Sequence, residues 1–254
     1  YAGPASNFAA TIREAPGAGI HLLHSGVADA SVTNPTGEIS NTDAVLQTGI
    51  KTANKKDLLI GVSLQSGLYT DTTVKGKNGS SEKAGATAGI EVTVEVLDKD
   101  NNPVSVYPSS VVFASRVQEL SAVLGGVIES CNVSVDLVTG KGTINIANDC
   151  TVTEEEIGLM LNTTSANHFN FVAPDMESGD HTINVITRAL SSAEFTNGTY
   201  TVTNLEQAEC ESNDYFVSWD SGTSTCTLGT ADNEAKAWAL VDVGSLTVQQ
   251  VRAI

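Results

Sequence analysis

The sequence has few aromatic residues and few basic ones. Only 5% of the 254 residues are Phe, Trp or Tyr, so the apolar mass is mostly Val, Ile, Leu and Ala. Together with frequent Thr, this composition favours strands. Lys and Arg number 13 against 30 acidic residues, which leaves a formal charge of −17. Because nucleic acids and anionic membrane surfaces are bound through clustered basic residues, we predict neither as a partner.

The sequence also lacks the apolar run that a membrane-spanning helix needs. The best stretch, Val111 to Ile128, is interrupted by Arg116 and Glu119, so no membrane span is predicted. No G-x-G-x-x-G or Walker pattern is present, and no G-x-S-x-G elbow marks a nucleophile. We therefore expect no cofactor and no enzymatic activity.

The first residue and the cysteines together predict export. Tyr1 stands where Met would begin a new chain, a pattern typical of signal-peptide removal. The four cysteines show no C-x-x-C spacing and have no nearby histidine that would suggest zinc. Sequence proximity favours Cys131 with Cys150 and Cys210 with Cys226, although other pairings remain open. We expect a secreted, disulfide-linked protein of the extracellular cell surface, and four free cytosolic thiols are the alternative.

Four N-x-S/T sequons are compatible with export. They lie at Asn78, Asn132, Asn162 and Asn197. In a chain this rich in Asn, Ser and Thr several sequons arise by chance, and they matter only where the source cell glycosylates exported proteins. With that condition, the sequence predicts a glycoprotein.

Alternating apolar residues predict several strands. From Ile90 to Val96 every second residue is Ile or Val, which places one face of a strand in the core and the other in solvent. Lys56 to Leu64 is typical of a buried strand. Further strands are predicted at 166–172, 182–188, 200–202, 216–219, 237–241 and 245–254. Residues 75–89 are of low complexity and predict an exposed, mobile loop, and 174–180 predict a hairpin loop.

Two segments predict short helices. In Val111 to Leu124 apolar residues recur at spacings of four, three and four. In Thr151 to Leu161 the pair Thr153 and Glu156 forms a capping box. The fold class predicted is therefore mainly β, an antiparallel β-sandwich of jelly-roll or Ig-like type with one or two short helices. We expect residues 1–17 to form an N-terminal extension or donor arm and residues 18–254 a single elaborated sandwich domain.

One short stretch carries a resemblance to a known family. The strand Ile90 to Val96 is followed by an acidic turn and by Asn102-Pro103-Val104. This arrangement resembles an early hairpin of bacterial immunoglobulin-like surface domains. The resemblance covers about fifteen residues and implies a β-sandwich surface or filament subunit.

A protease-like motif lacks its partner. Asp220-Ser-Gly-Thr-Ser matches the active-site loop of pepsin-like aspartic proteases, which need two carboxylates sharing one proton. The only approximate second copy, at Asp71, lacks the glycine. We interpret the motif as a Ser/Gly-rich turn and predict no catalytic residue.

Two other groups of residues were candidates for binding chemistry. Asp98, Asp100 and Asn102 place oxygen ligands at alternate positions, as calcium loops do, but Pro103 replaces the sixth-position glycine of an EF-hand. We assign no metal and keep calcium at this turn as an alternative. His168, among Asn167 and Asn170, is interpreted as hydrogen-bonded within a sheet.

These observations favour a structural role. We predict a subunit of an extracellular polymer (a filament, pilus-like fibre or surface layer) that pairs with copies of itself by strand or arm exchange. The Ala-rich segment 1–17 and the strand at the end of the chain motivate this prediction, because edge pairing needs only backbone hydrogen bonds. The alternative is a secreted glycan- or calcium-binding β-sandwich module.

Overall fold

The computed structural model describes residues 7–13, 21–28, 36–37, 40–132, 134–135, 142–143, 150–203, 206–213, 216–229 and 233–252. Two large antiparallel sheets face each other across one aliphatic core. The mainly-β, antiparallel sandwich predicted from composition and alternation is confirmed.

The strands are unusually long, and five of them have 18 or more residues. In chain order the elements are β1 (Phe8–Arg13), β2 (His21–Ala28), β3 (Thr36–Gly37), β4 (Ser40–Thr52), β5 (Lys56–Gly76), β6 (Ser80–Leu97), β7 (Pro103–Val104), β8 (Ser110–Leu124), β9 (Val127–Cys131), β10 (Ser134–Val135), β11 (Gly142–Thr143), β12 (Cys150–Thr153), β13 (Glu155–Met176), β14 (Gly179–Thr196), β15 (Thr199–Thr203), α1 (Gln207–Glu211), β16 (Phe216–Asp220), β17 (Thr225–Gly229) and β18 (Glu234–Val251).

Each of the two large sheets has two long strands at its centre, β18 and β5 in sheet A and β14 and β6 in sheet B. Sheet A runs β1, β18, β5, β13, and β2 also pairs with β18. Sheet B places β14 and β6 at its centre, with β3 and β4 on one side and β7 and β8 on the other. All of these pairings are antiparallel. As a result β8 and β13 are edge strands.

The core changes character along the strands. At one end aliphatic side chains from both sheets interdigitate, among them Ile60 of β5 and Val92 of β6. Towards the other end of β5 the inward side chains become polar, at Thr70 and Thr72, and β6 contributes the buried carboxylate of Glu82. This second half of the sandwich therefore combines internal hydrogen bonds with a smaller apolar cluster that includes Val74 and Leu124.

A small lobe lies outside the two main sheets. Strands β15, β17 and β16 form a three-stranded sheet, and α1 packs beside it. In the described part of the lobe the buried side chains are Cys210, Cys226 and Leu228, with Tyr200 and Trp219 packed against them. The structure joins Cys210 to Cys226 here and Cys131 to Cys150 between β9 and β12, the pairing that sequence proximity favours.

Both predicted helices are wrong. Residues 111–124 form β8, and 151–161 form β12 and the start of β13. The second segment contains Ile157, Leu159 and Leu161 at strand spacing, and β13 pairs with β5 almost along its whole length. Long-range pairing of this extent overrides local helix propensity and a capping box. Within the described residues the one helix is α1.

The mobile loop predicted at 75–89 is also wrong. Strand β5 continues to Gly76 and β6 begins at Ser80, so only a tight turn separates them. Asn78 and Gly79 both have positive φ, at 55° and 77°. Two such residues in succession make a type I′ turn, which here connects β5 of sheet A to β6 of sheet B. The turn predicted at 174–180 is present, because β13 ends at Met176 and β14 begins at Gly179. It is not the predicted hairpin, because β13 belongs to sheet A and β14 to sheet B, so the turn connects the two sheets.

Candidate functional site

The N-terminal strand β1 is added to the edge of β18. Its six residues pair antiparallel with residues 244–249 of β18. The N–H of Gln250 also donates to the carbonyl of Asn7, 3.1 Å away. β2 pairs with residues 235–241 along the same strand. The segment 1–17, predicted as an extension or donor arm, thus contains a strand that completes a sheet edge.

The side chains on the two faces of β1 differ in how far they are buried. Ala9 packs against the core, and it is a small side chain. The larger apolar side chains of Phe8 and Ile12 point outwards and are 60% and 72% exposed. Since β1 buries little apolar area, backbone hydrogen bonds of the ladder are its main attachment, and each contributes only about 1 kcal/mol net. A strand held in this way detaches more easily than the central strands.

On the side of the sandwich formed by β8 and β13, side chains of β8 bridge the two sheets. Arg116 donates from Nη1 to the carbonyl of Leu161 at 2.9 Å. Gln118 donates from Nε2 to the carbonyl of Leu159 at 2.6 Å. Both carbonyls belong to the edge strand β13. Arg116 Nη1 also donates to the carbonyl of Leu68 in β5, at 3.2 Å, so these side chains of sheet B join it to the inner face of sheet A.

Replacing Gln118 by alanine tests how much this bridge between the sheets contributes to stability. Besides its bond to Leu159, the buried amide accepts from the Thr70 hydroxyl at 2.6 Å and donates to the Thr72 hydroxyl at 2.7 Å. Gln118→Ala leaves these buried groups unpaired, and we expect the free energy of unfolding to fall by about 2 kcal/mol. Urea titration measures it. The matched control is Ser121→Ala at an exposed position of the same strand, and an equal loss in both variants would contradict the bridging role.

In the oxygen-rich turn between β6 and β7, the Asp98 carboxylate accepts hydrogen bonds from the turn itself. Asp98 Oδ1 accepts the backbone N–H groups of Asp100 and Asn102, each at 2.8 Å. The Asn102 N–H is the main cause that holds the pKa of Asp98 below its ordinary value, and partial desolvation opposes it. Lys99 pairs with Asp100. The residues kept as a calcium alternative therefore form a self-bonded turn, and within the described residues no three His, Cys, Asp or Glu side chains form a metal-sized group.

The protease-like motif forms a turn between β16 and β17. Asp220 Oδ2 accepts the Thr223 hydroxyl and Oδ1 accepts the Gly222 N–H, both at 2.8 Å. The Thr223 hydroxyl, followed by the Gly222 N–H, holds the pKa of Asp220 below its ordinary value. The geometry matches the interpretation as a Ser/Gly-rich turn.

His168 belongs to a polar row on the outer face of sheet A. Its Nδ1 lies 2.8 Å from the Ser63 hydroxyl, and its Nε2 lies 3.1 Å from Asn170 Oδ1. Gly61 makes this row fit, because a Cβ there would lie 3.1 Å from His168 Cε1 and 3.2 Å from Asn170 Oδ1. The histidine is hydrogen-bonded within the sheet, as interpreted from sequence.

The four sequon asparagines lie on different elements. Asn78 is half-buried in the β5–β6 turn, and Asn132 is exposed after β9. Asn197 is exposed between β14 and β15, and Asn162 is exposed on the outer face of β13. Their glycosylation stays a prediction.

Arg116 and Gln118 were not recognised from the sequence as bridging residues, because their segment was assigned to a helix. In a strand they fall on the same face as Leu120 and Leu124, and polar residues within such an inward-facing row are the signal that finds them. In the described part of the chain, no helix has the length and apolar character required to cross a membrane.

No known family model matches the sequence, and no curated protein matches it. The chain has a weak likeness to a CocE/NonD-family hydrolase from Staphylococcus aureus, with 11% identity and a TM-score of 0.15. The match covers 96% of this chain and 37% of the hydrolase, so the chain spans little more than a third of that protein's length. A non-toxic crystal protein from Bacillus thuringiensis shows 6% identity and a TM-score of 0.20, with 92% and 85% of the two chains covered. The parasporin-2 toxin of Bacillus thuringiensis, which recognizes cancer cells, shows 12% identity and a TM-score of 0.13, with 89% and 72% covered. Scores this low carry no argument about fold or function.

Proposed function

We propose that this chain is the structural subunit of an extracellular homopolymer (a filament, pilus-like fibre or surface layer) in which β1 of one copy pairs with β18 of the next. The observation that carries the proposal is the docking of β1 on the edge of β18 through a six-residue backbone ladder. A neighbour's β1 can make the same ladder in the same register. Exchange of an identical element between copies conserves its contacts and therefore has a low cost.

Two further features support this assignment. The large outward side chains of β1, Phe8 and Ile12, gain burial only if another surface lies against them. The two disulfides suit an oxidising compartment, and we place the polymer outside the cell.

A cross-link across the ladder tests the exchange directly. Ala10 and Thr247 are partners in the β1–β18 register and both are exposed. We expect the double variant Ala10→Cys, Thr247→Cys to form disulfides between chains when the protein polymerises. On a non-reducing gel these appear as a ladder of covalent oligomers, and electron microscopy shows the polymers themselves.

The controls separate exchange from other modes of assembly. Each single cysteine variant should give no species larger than a dimer. Deletion of residues 1–17 should leave monomers. If polymers form without residues 1–17, or if the cysteine pair closes only within single chains of a polymer, β1 is not the exchanged element. A protein that stays monomeric at high concentration overturns the proposed function.

A further inference from the structure

A cleft of about 170 Å³ opens on the outer face of sheet A and spans three neighbouring strands. Gly67 of β5 forms its floor, because a Cβ at this position would lie 3.3 Å from Leu240 Cδ1. The strand register places Leu240 of β18 on one side of Gly67 and Thr164 of β13 on the other. The other lining residues are Gln65, Ser66, Asn162 and Asp242.

Several polar side chains of the cleft have no hydrogen-bond partner among the residues that the structure describes. Within the described residues, the side chains of Gln65, Asn162, Thr164 and Asp242 make no hydrogen bond. In the polar row next to them the side chains do have partners, since Ser63 and Asn170 each bond to His168. Asp242 also lies where the β18–β5 register is interrupted, between Val241 and Gly244. Such irregularities redirect side chains and recur at functional sites.

The lining selects the chemistry of a ligand. It holds two amides, hydroxyls and one carboxylate, without Lys or Arg, on a chain of formal charge −17. An anionic ligand is therefore disfavoured. Amide and carboxylate groups together offer both donors and acceptors to hydroxyl groups. Leu240 adds an apolar wall, and the stacked rings of Tyr69 and Trp238, 4.3 Å apart, lie one residue pair further along the same face.

We infer that this cleft binds one ring of a neutral saccharide. A pyranose ring combines an apolar C–H face with a rim of hydroxyl groups, which matches an apolar wall beside unpaired amide and carboxylate groups. The cleft is smaller than the roughly 300–1,000 Å³ of a site for a drug-sized molecule, so it takes a single ring or the end of a chain. This inference does not depend on polymerisation through β1.

Binding is tested with the full chain produced in a host that does not glycosylate it, so that Asn162 is unmodified. The probes are a panel of neutral oligosaccharides of glucose, galactose, mannose and N-acetylglucosamine, followed by saturation-transfer NMR and calorimetry. We expect at least one of them to bind with a dissociation constant in the millimolar range or below. Gln65→Ala and Asp242→Ala should each weaken it about tenfold, the effect of one lost hydrogen bond.

The control variant lies on the outer face of the other sheet. Asn184 of β14 is bonded to Gln47 and Glu95 there, and Asn184→Ala should leave saccharide affinity unchanged. Circular dichroism checks that all three variants stay folded. If no saccharide of the panel binds at 10 mM, roughly the weakest affinity that such contacts support, or if Gln65→Ala and Asp242→Ala bind as the unsubstituted chain does, the cleft is not a saccharide site.

Discussion

Replacement of Glu82 by alanine is expected to lower the free energy of unfolding by about 3 kcal/mol. The carboxylate is fully buried, and its Oε2 accepts the Gly198 N–H at 2.7 Å and the Asn233 side-chain amide at 2.8 Å. Asn233 in turn accepts the Lys75 N–H at 2.8 Å and donates to the Thr196 carbonyl at 3.0 Å. These bonds join β5, β6, the β14–β15 turn and the start of β18, so alanine leaves buried donors unpaired at a junction of four elements.

Two comparison variants separate the causes of this loss. Glu82→Gln keeps an oxygen that can accept both donors, so it should retain more than half of the stability that Glu82→Ala loses. Glu119→Ala removes an acid whose side chain is 59% exposed and pairs with Lys83 at 2.9 Å. Exposed pairs contribute little, and we expect a change below about 0.5 kcal/mol. Urea unfolding measures all three, and a loss below about 1 kcal/mol for Glu82→Ala would mean that the network is dispensable.

The burial of Glu82 could not be predicted from the sequence. Glu82 stands in a stretch of Gly, Ser, Lys and Ala that is typical of an exposed loop, and its burial follows from partners more than 100 positions away. Two glycines make the site possible. A Cβ at Gly76 would lie 3.0 Å from Glu82 Cγ, and one at Gly198 would clash with the carboxylate. Composition alone does not separate glycines that admit a buried side chain from glycines of a flexible loop.

Strands can be predicted from the alternation of apolar residues where one face of the strand is aliphatic. The alternation from Ile90 to Val96 predicted a half-buried strand because Ile and Val fill the core on one side of β6. In β8 the inward row contains Arg116 and Gln118, so the period of two is masked and a helical spacing was assigned instead. Asn78-Gly79 is a turn signal that predicts a tight connection between two strands, and in the structure it connects β5 of sheet A to β6 of sheet B.

The candidate site was only partly predictable for the same reason. The composition of residues 1–17 suggested a separable segment, but the partner of β1 lies at the other end of the chain. Register between such distant segments is determined by the whole sheet and has no local signature. The saccharide cleft likewise needs three strands brought side by side, so neither Gly67 nor Asp242 stands out in the sequence.

Removal of the Cys210–Cys226 disulfide is expected to unfold the small lobe while the sandwich stays folded. The bridge closes a loop with a sequence separation of 16, which stabilises it by about 3 kcal/mol through loop-closure entropy. Among the described residues the lobe has three buried core residues, and two of them are these cysteines. A core this small does not supply enough burial to order three strands without a covalent link. We therefore expect Cys210→Ala with Cys226→Ala to abolish hydrogen-exchange protection in β15, β16 and β17.

The second disulfide provides the matched control. Cys131→Ala with Cys150→Ala opens a loop of similar separation, 19 residues, between β9 and β12. Hydrogen exchange followed by mass spectrometry should show β15–β17 protected in that variant and exposed in the first. In both variants β5 and β6 should keep their slow exchange, because the aliphatic core holds them independently. If β17 stays protected in the first variant, the lobe folds without its disulfide. If β5 loses protection in that variant, the lobe and the sandwich unfold as one unit.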